Sequence, residues 1–340
     1  MVVPARSWSK CQLAFWLPVG NTVNFAERGD RIMRATALAL AGVLAIACGE
    51  ARGQPTTYAD EWLGQPVDDA TFQNYLEFFV VDHEQPLDAQ LLDSRENDGV
   101  RREEWSFTST LGEPVFGHYF ETVNAPSDSP RAILYLHGGN GKDGPFSQRA
   151  LESLARGGFD VLAIDMKYWG RRETGLFTTF TEDDKHDQLY NRSPLYLDWT
   201  IQTVKDVQRS YDFLITEKKV APERIALMGF SRGAIVGTIA AAVEKRFAGV
   251  ILSFGGHFDA KEREHLPAAC PANYIGRISP VPLLAINGAN DSDLVADTSV
   301  RPLYRHAKEP KEHIWTDGGH GQMRDPDRAA IMEWLRVHLK

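Results

Sequence analysis

Ser231 lies in the stretch ALMGFSRGAI, between Gly229 and Gly233. The apolar run before it reads as a strand and the small-residue run after it as a helix. The G-x-S-x-G spacing therefore falls on a tight strand-to-helix turn. Such a turn crowds the backbone and needs neighbours without side chains, and it lifts the serine oxygen above the sheet at a helix N-terminus. Positive partial charge there favours a developing anion. The chemistry this implies is nucleophilic attack. A serine beside a glycine-lined turn is also compatible with a purely structural role, so the rest of the chain has to supply its partners.

A serine hydroxyl attacks only when a base takes its proton. Of the ten histidines in the chain, His320 in TDGGHGQM follows the last apolar strand and sits in a glycine-rich loop. That makes it the candidate base. His257, which follows the strand after the elbow helix, is the weaker competitor. His137 opens the HGGNG turn and reads as structural. His83, His118, His186, His265, His306, His313 and His338 read as surface or packing residues.

The base needs a carboxylate to fix its tautomer and stabilise the imidazolium. AINGANDSDLV offers Asp291, three residues past Gly288, and Asp293, two further on. Loop geometry favours Asp291 and leaves Asp293 open, and whichever is unused reads as a turn aspartate. D-x-D also suggests a Ca²⁺ loop, but the remaining oxygen ligands and a terminal Glu are missing. An oxyanion would need backbone N–H donors: one from Arg232, after the nucleophile, and one from Gly139 or Asn140 in HGGNG.

The elements that must position these groups alternate along the chain. RAILYL (131–136) and FDVLAIDM (159–166) are continuous apolar strands with a helix, FSQRALESLARGG, between them. WTIQTVKDVQRSYDFLITEK puts Ile201, Val204, Val207, Tyr211 and Leu214 on one helical face. RIALMGF, FAGVILSFGG, VPLLAING and KEHIWTDGGH give four more strands, and DRAAIMEWLRVHLK a last helix. WSFTSTLGEPVFGHYF reads as an earlier hairpin. Nearly continuous apolar strands alternating with helices predict a mostly parallel twisted α/β sheet covered on both faces, with working loops at the strands' carboxyl ends.

The motifs LHGGNG, GFSRG, NGANDSD and GGHG, in that order at strand ends, resemble the α/β-hydrolase superfamily over residues 104–340. The hairpin before LHGG resembles the dienelactone-hydrolase and acetyl-esterase branches, and GFSRG resembles secreted acetyl xylan esterase-like hydrolases. The resemblance implies a three-layer α/β-hydrolase fold with a loop lid. It also implies a serine esterase that needs no metal or organic cofactor, taking small-molecule esters through an acyl-enzyme. Ser231 would attack, His320 would shuttle the proton and Asp291 would orient it. A serine peptidase, a dienelactone hydrolase (whose nucleophile is typically Cys) and a non-catalytic ligand-binding relative are the competing readings. Loops 167–198 and 255–280 should shape the pocket. Tyr168, Trp169, Phe177 and Phe180 there suit an acyl chain or a sugar, and Arg171 and Arg172 a carboxylate, or all are ordinary lid packing.

Composition sets the limits. The chain has 340 residues, 43% hydrophobic, with a net charge of −9 and scattered charges. One large core is affordable, and no Lys/Arg stripe marks a nucleic-acid partner. Cys11, Cys48 and Cys270 form no metal-binding spacing. MRATALALAGVLAIACGE has the layout of a secretory signal over residues 33–47. Its Cys48 stands where a bacterial lipobox cysteine would, although Ala45 replaces the usual Leu. The expectation is an exported bacterial protein that is periplasmic, extracellular or lipid-anchored. The expected organisation is a gene-model extension or disordered leader over 1–32, a linker and packing arm over 48–100, and a catalytic domain over 101–340. The oligomeric state is not legible.

Overall fold

The computed structural model describes residues 58–123, 130–173, 181–259, 261–263 and 265–340. The expected signal segment, Cys11, Cys48, Phe177 and Phe180 lie outside them. Nine described strands form one sheet: β1 (Gln90–Asn97), β2 (Val100–Thr108), β3 (Pro114–Thr122), β4 (Ala132–Leu136), β5 (Asp160–Ile164), β6 (Ile225–Phe230), β7 (Gly249–Ser253), β8 (Leu283–Gly288) and β9 (Lys311–Thr316). The spatial order is β1-β2-β3-β5-β4-β6-β7-β8-β9. The first three strands run antiparallel, and β3 also pairs antiparallel with β5. From β5 to β9 every pairing is parallel.

The strands β4, β7 and β8 are buried along their whole length. This explains their unbroken apolar sequence, because both faces are covered and no polar side can alternate. Helices α5 (Ser193–Thr216) and α6 (Arg232–Val243) cover one face, through Trp199, Val204, Val207, Ile235 and Ile239. Helices α3 (Pro145–Arg156) and α7 (Asp325–His338) cover the other, through Leu151, Leu154, Ile331, Trp334 and Leu335. At about 25 cal/mol per Å² of apolar surface, these two layers are the main source of stability.

Three stretches differ from the sequence reading. The polar run expected as linker folds into α1 (Tyr58–Gly64) and α2 (Asp69–Leu76), the latter capped by Asp68 Oδ1 on the Thr71 N–H at 2.7 Å. Helices this short show too few turns for a period to emerge. The sheet begins at Gln90, inside the expected arm and ahead of the boundary drawn at 101. β1 is an edge strand exposed on nearly every residue, so its sequence lacks an apolar face. Within 167–198 the chain forms α4 (Glu182–Lys185), then a π-helical turn over His186–Tyr190, and α5 begins at Ser193.

The arm is held by backbone carbonyls. Arg209, fully buried on α5, donates to the carbonyls of Asp82 and His83 at 3.3 Å each and of Gln85 at 2.5 Å, and pairs with Asp212 at 3.0 Å. At its start the arm meets the far end of the chain. The Val67 N–H donates to Asn273 Oδ1 at 2.9 Å, Arg277 donates to the Val67 carbonyl at 2.8 Å, and the His306 ring meets the Leu63 carbonyl at 2.6 Å. Arg209→Met would leave three carbonyls without this donor, while Asp212 keeps His83 and Arg246 as partners. We expect a loss of about 3–5 kcal/mol, mostly from the unsatisfied carbonyls, measured by urea denaturation, with catalytic residues untouched.

Candidate active site

Ser231 links β6 directly to α6 and holds φ 54° and ψ −120°. A side-chain-bearing residue in that region is strained, and strain of this kind persists only where the surroundings impose it. Two glycines show what imposes it. A Cβ on Gly229 would collide with the Gly233 carbonyl and lie 2.7 Å from Ala234 Cα. A Cβ on Gly233 would collide with the carbonyls of Leu136 and His137. The first turn of α6 thus rests on the end of β4 with no space between them. The same contact brings HGGNG beside the serine: the Cβ position of Gly138 is 3.2 Å from Ser231 Cβ. The Ser231 N–H is fixed by the Ser253 carbonyl at 2.9 Å.

His320 follows β9 and places Nε2 2.9 Å from Ser231 Oγ. Its Nδ1 lies 2.7 Å from Asp291 Oδ2. A carboxylate can only accept, so Nδ1 carries the hydrogen and Nε2 is left to accept from the serine hydroxyl. The ring lies against Phe230 and Phe254, with centroids 5.7 and 5.8 Å away. Asp291 Oδ1 accepts from the N–H groups of Asp293 and Leu294 at 2.9 and 3.0 Å. The structure therefore brings together Ser231, His320 and Asp291. The Asp293 carboxylate is not bonded to His320 and lies on the pocket wall. His257 is buried, with Nε2 3.2 Å from Cys270 Sγ, and burial pushes its pKa down to about 3.

Electrostatics separate the two triad partners. Burial alone would lower the His320 pKa, but the hydrogen bond and charge of Asp291, with the charges of Asp293 and Asp259, raise it above its ordinary value. Burial would raise the Asp291 pKa, but the His320 bond and the two backbone N–H groups outweigh it and hold the carboxyl below its usual range. The pair thus favours imidazolium beside carboxylate, the state a proton-accepting histidine must enter.

The expected oxyanion donors lie around the same serine. Gly139, Asn140 and Arg232 all line the pocket with Ser231 and His320. At the first position of α6, the Arg232 N–H has no carbonyl a turn earlier to bond. His137 bonds the Gly138 carbonyl through Nδ1 at 2.7 Å and accepts the Met166 N–H at Nε2, 3.2 Å away. It is thus neutral with a fixed tautomer, and burial lowers its pKa to about 4.

The cavity measures about 640 Å³. One wall was not legible in the sequence. His186 sits between two acceptors, the Glu182 carbonyl at 2.7 Å and Asp259 Oδ2 at 2.6 Å. Both ring nitrogens must donate, so it carries a proton, in line with its raised pKa: burial opposes the charge, and Asp259 with the Glu182 carbonyl outweighs it. The Arg232 guanidinium is buried, lies 3.7 Å from the Tyr190 ring centre, pairs with Asp259 at 3.0 Å and also pairs with Glu262. Burial pushes Glu262 up to about 7. No motif joins residues 186, 232, 259 and 262, so only their identity as charged loop residues could have drawn attention.

The arginines read as possible substrate contacts are occupied. Arg172 is buried and pairs with Asp206 at 2.5 Å, and Arg171 pairs with Glu104 at 2.8 Å. Trp169 is buried and donates through Nε1 to the Gly139 carbonyl at 2.8 Å. Among the described residues, His186, Asp259 and Glu262, and separately Asp291, Asp293 and His320, bring metal-ligand atoms within 4.8 Å of one another. In the first group Arg232 already neutralises the carboxylates. In the second, Asp291 and His320 are committed to each other.

A mostly parallel sheet with a serine at a strained turn after β6, aspartate on the loop after β8 and histidine on the loop after β9 defines an α/β-hydrolase. Its nearest-packed polar groups have the arrangement of a Ser-His-Asp hydrolase. The chain belongs to the family described as serine hydrolase (FSH1), which matches residues 127–321. No curated protein sequence matches it. Among solved structures, the acetyl xylan esterase from Paenibacillus sp. R4 is similar at 18% identity and TM-score 0.63, over 82% of this chain and 99% of that one. A cold-adapted esterase from an Arctic intertidal metagenomic library is similar at 19% identity and TM-score 0.58, over 74% and 100%. Acetyl xylan esterase 1 from Thermoanaerobacterium sp. JW/SL YS485 is similar at 18% identity and TM-score 0.56, over 82% and 93%. At such identities the likeness is one of fold.

The turn's crowding predicts opposite outcomes within one helix. Gly233→Ala should cost at least about 2 kcal/mol, because a Cβ there meets backbone that cannot yield. At Gly237 the nearest atom to an added Cβ is 3.5 Å away, on Leu252. Gly237→Ala should therefore stabilise by about 0.5–1 kcal/mol, the usual helix-interior gain. Thermal melting of both variants checks this.

Proposed function

We propose that this serine hydrolase cleaves carboxylic esters of small or medium acyl groups through an acyl-enzyme on Ser231. The carrying observation is the 2.9 Å contact between His320 Nε2 and Ser231 Oγ on the strained turn. His320 takes the hydroxyl proton as Oγ attacks the ester carbonyl, while Asp291 stabilises the imidazolium. The carbonyl oxygen becomes an oxyanion held by the Arg232 N–H and an N–H of Gly139 or Asn140. Collapse expels the alcohol, which receives the proton from His320. Water, activated by the same histidine, then attacks the acyl-enzyme and frees Ser231. The names of the structural relatives, two of them acetyl xylan esterases, support an ester as substrate and a short acyl group.

Hydrolysis of p-nitrophenyl acetate by the chain from Cys48 onward, beside Ser231→Ala, tests the reading. Activity in the first and near-background in the second is expected. Absence of activity in both folded proteins would favour a non-catalytic ligand-binding role. The signal layout before Cys48 supports export, and Cys48 at the N-terminus of the mature native protein is the expected finding of intact-mass analysis.

The two aspartates separate by pH. Only neutral His320 can accept the proton, so kcat/KM should rise with pH through an apparent pKa above 6.5, since the folded value is raised. Asp291→Asn should lower kcat by roughly 10⁴-fold, the loss typical when the histidine's carboxylate is neutralised. Asp293→Asn should leave kcat within a few fold. It should move the acid limb to lower pH, because the Asp293 charge raises the His320 pKa. Steady-state pH profiles of both variants distinguish the roles.

A further inference from the structure

Among the described residues, both donors to the Gly139 carbonyl come from outside its own loop. Trp169 Nε1 donates to it at 2.8 Å. Lys185 Nζ donates to it at 2.8 Å as well. The Lys185 side chain is only 6% exposed, and its other partner is Glu182 Oε1 at 2.6 Å. Removing an ammonium from water costs several kcal/mol and is recovered only through good partners. One neutral N–H from Trp169 already satisfies the carbonyl. The buried charge is therefore in excess of what satisfying Gly139 requires.

The Gly139–Asn140 peptide is trans, like every non-proline bond among the described residues. Its carbonyl faces Trp169 and Lys185, so the Asn140 N–H, on the opposite edge of the same plane, faces away from them. The preceding peptide is fixed in the same manner. The Gly138 carbonyl is held by His137 Nδ1 at 2.7 Å and by the Gly141 N–H at 3.1 Å, which sets the direction of the Gly139 N–H. Both candidate oxyanion donors thus have their peptide planes set by bonds to the carbonyl on the other edge. A cationic donor on a carbonyl also polarises the peptide and strengthens the N–H as a donor. Lys185 itself is held by α4, whose Thr181–Asp184 capping box fixes the start of that short helix. The pocket-wall segment and the oxyanion loop are therefore joined through one ammonium.

We propose that Lys185 is a positioning residue: from the end of α4 it clamps the Gly139 carbonyl and so holds the oxyanion loop in its anion-binding orientation. This rests on the esterase reading above. Lys185 touches neither the ester nor the triad in this role and acts through the backbone of Gly139 and Asn140.

The test uses the chain from Cys48 onward and p-nitrophenyl acetate, with phenylboronic acid as a tetrahedral mimic that adds to Ser231. Lys185→Met should lower kcat about 10- to 100-fold, less than the roughly 10²–10³-fold typical of outright loss of an oxyanion donor. KM should change by less than about twofold, as expected when stabilisation is lost in the transition state only. The inhibition constant of phenylboronic acid should rise in parallel with the fall in kcat/KM, and the acid limb of the pH profile should stay in place. Lys185→Arg, which can still donate a charged N–H, should restore much of the rate. If Lys185→Met melts below the assay temperature, Trp169→Phe removes the other donor to the same carbonyl and should give the same split.

An unchanged kcat in a folded Lys185→Met would overturn the proposal. So would a loss of kcat without weaker phenylboronic acid binding, or a shifted acid limb, which would place the effect on His320 instead. The esterase reading fails separately, through an inactive unsubstituted protein or an active Ser231→Ala.

Discussion

The contact on which the site depends is the close approach of two backbones, the first turn of α6 and the end of β4. Gly233 lies where any Cβ would strike the carbonyls of Leu136 and His137. That contact fixes three things together. It sets how sharply the chain turns at Ser231, and hence the strained φ of 54°. It sets how near the HGGNG loop comes to the serine. It also sets Arg232, the first residue of α6, on the pocket beside Ser231. Backbone-on-backbone packing has little compliance, unlike side chains that can change rotamer. A site built on it is already organised before substrate arrives, which is the condition for electrostatic stabilisation without reorganisation.

Charge around this rigid centre is arranged in two tiers. Ser231, His320 and Asp291 form a chain of donors and acceptors in which each direction is dictated by the next group. Beyond it, His186, Asp259, Arg232 and Glu262 form a second chain that ties the 181–191 segment, Asp259 and Glu262 to the elbow helix. Asp259 is shared by His186 and Arg232, and burial would raise its pKa were it not for those partners, which lower it. Arg232 serves both tiers, with its backbone next to Ser231 and its side chain paired with Asp259 and Glu262. Ion pairing thus links the short helical segment 181–191 and Asp259 to the helix that follows the serine.

Much of this was legible in the sequence, and the reasons are local. Strands such as AILYL and GVILS are buried on both sides, so composition alone marks them. The turn glycines, the G-x-x-D spacing of Asp291 and the glycine-flanked His320 each report a backbone requirement that few residues meet. The hidden parts lacked such a signature. The helix over 58–64 spans too few turns to show a period, and β1 is a polar edge strand. His186 and Asp259 stand 73 positions apart, and a histidine between two acceptors looks like any other histidine until both are in place. Lys185 gave no sign, because its partner is a carbonyl, which every residue possesses. The choice between Asp291 and Asp293 turned on which carboxylate receives the backbone N–H groups of its own loop.

The N-terminal arm has a consequence for how the protein comes into being. The Val67 N–H meets a side chain 206 positions later in the chain. During synthesis at roughly 5–20 residues per second, that partner emerges on the order of 10 s or more after the arm does. Throughout this interval Trp62, Leu63 and Phe72, which end up packed against the core, have no finished surface to cover. This early segment is therefore among the last to dock. The nascent chain presents an adhesive stretch until its final quarter appears, a period in which a holding chaperone would have a defined target.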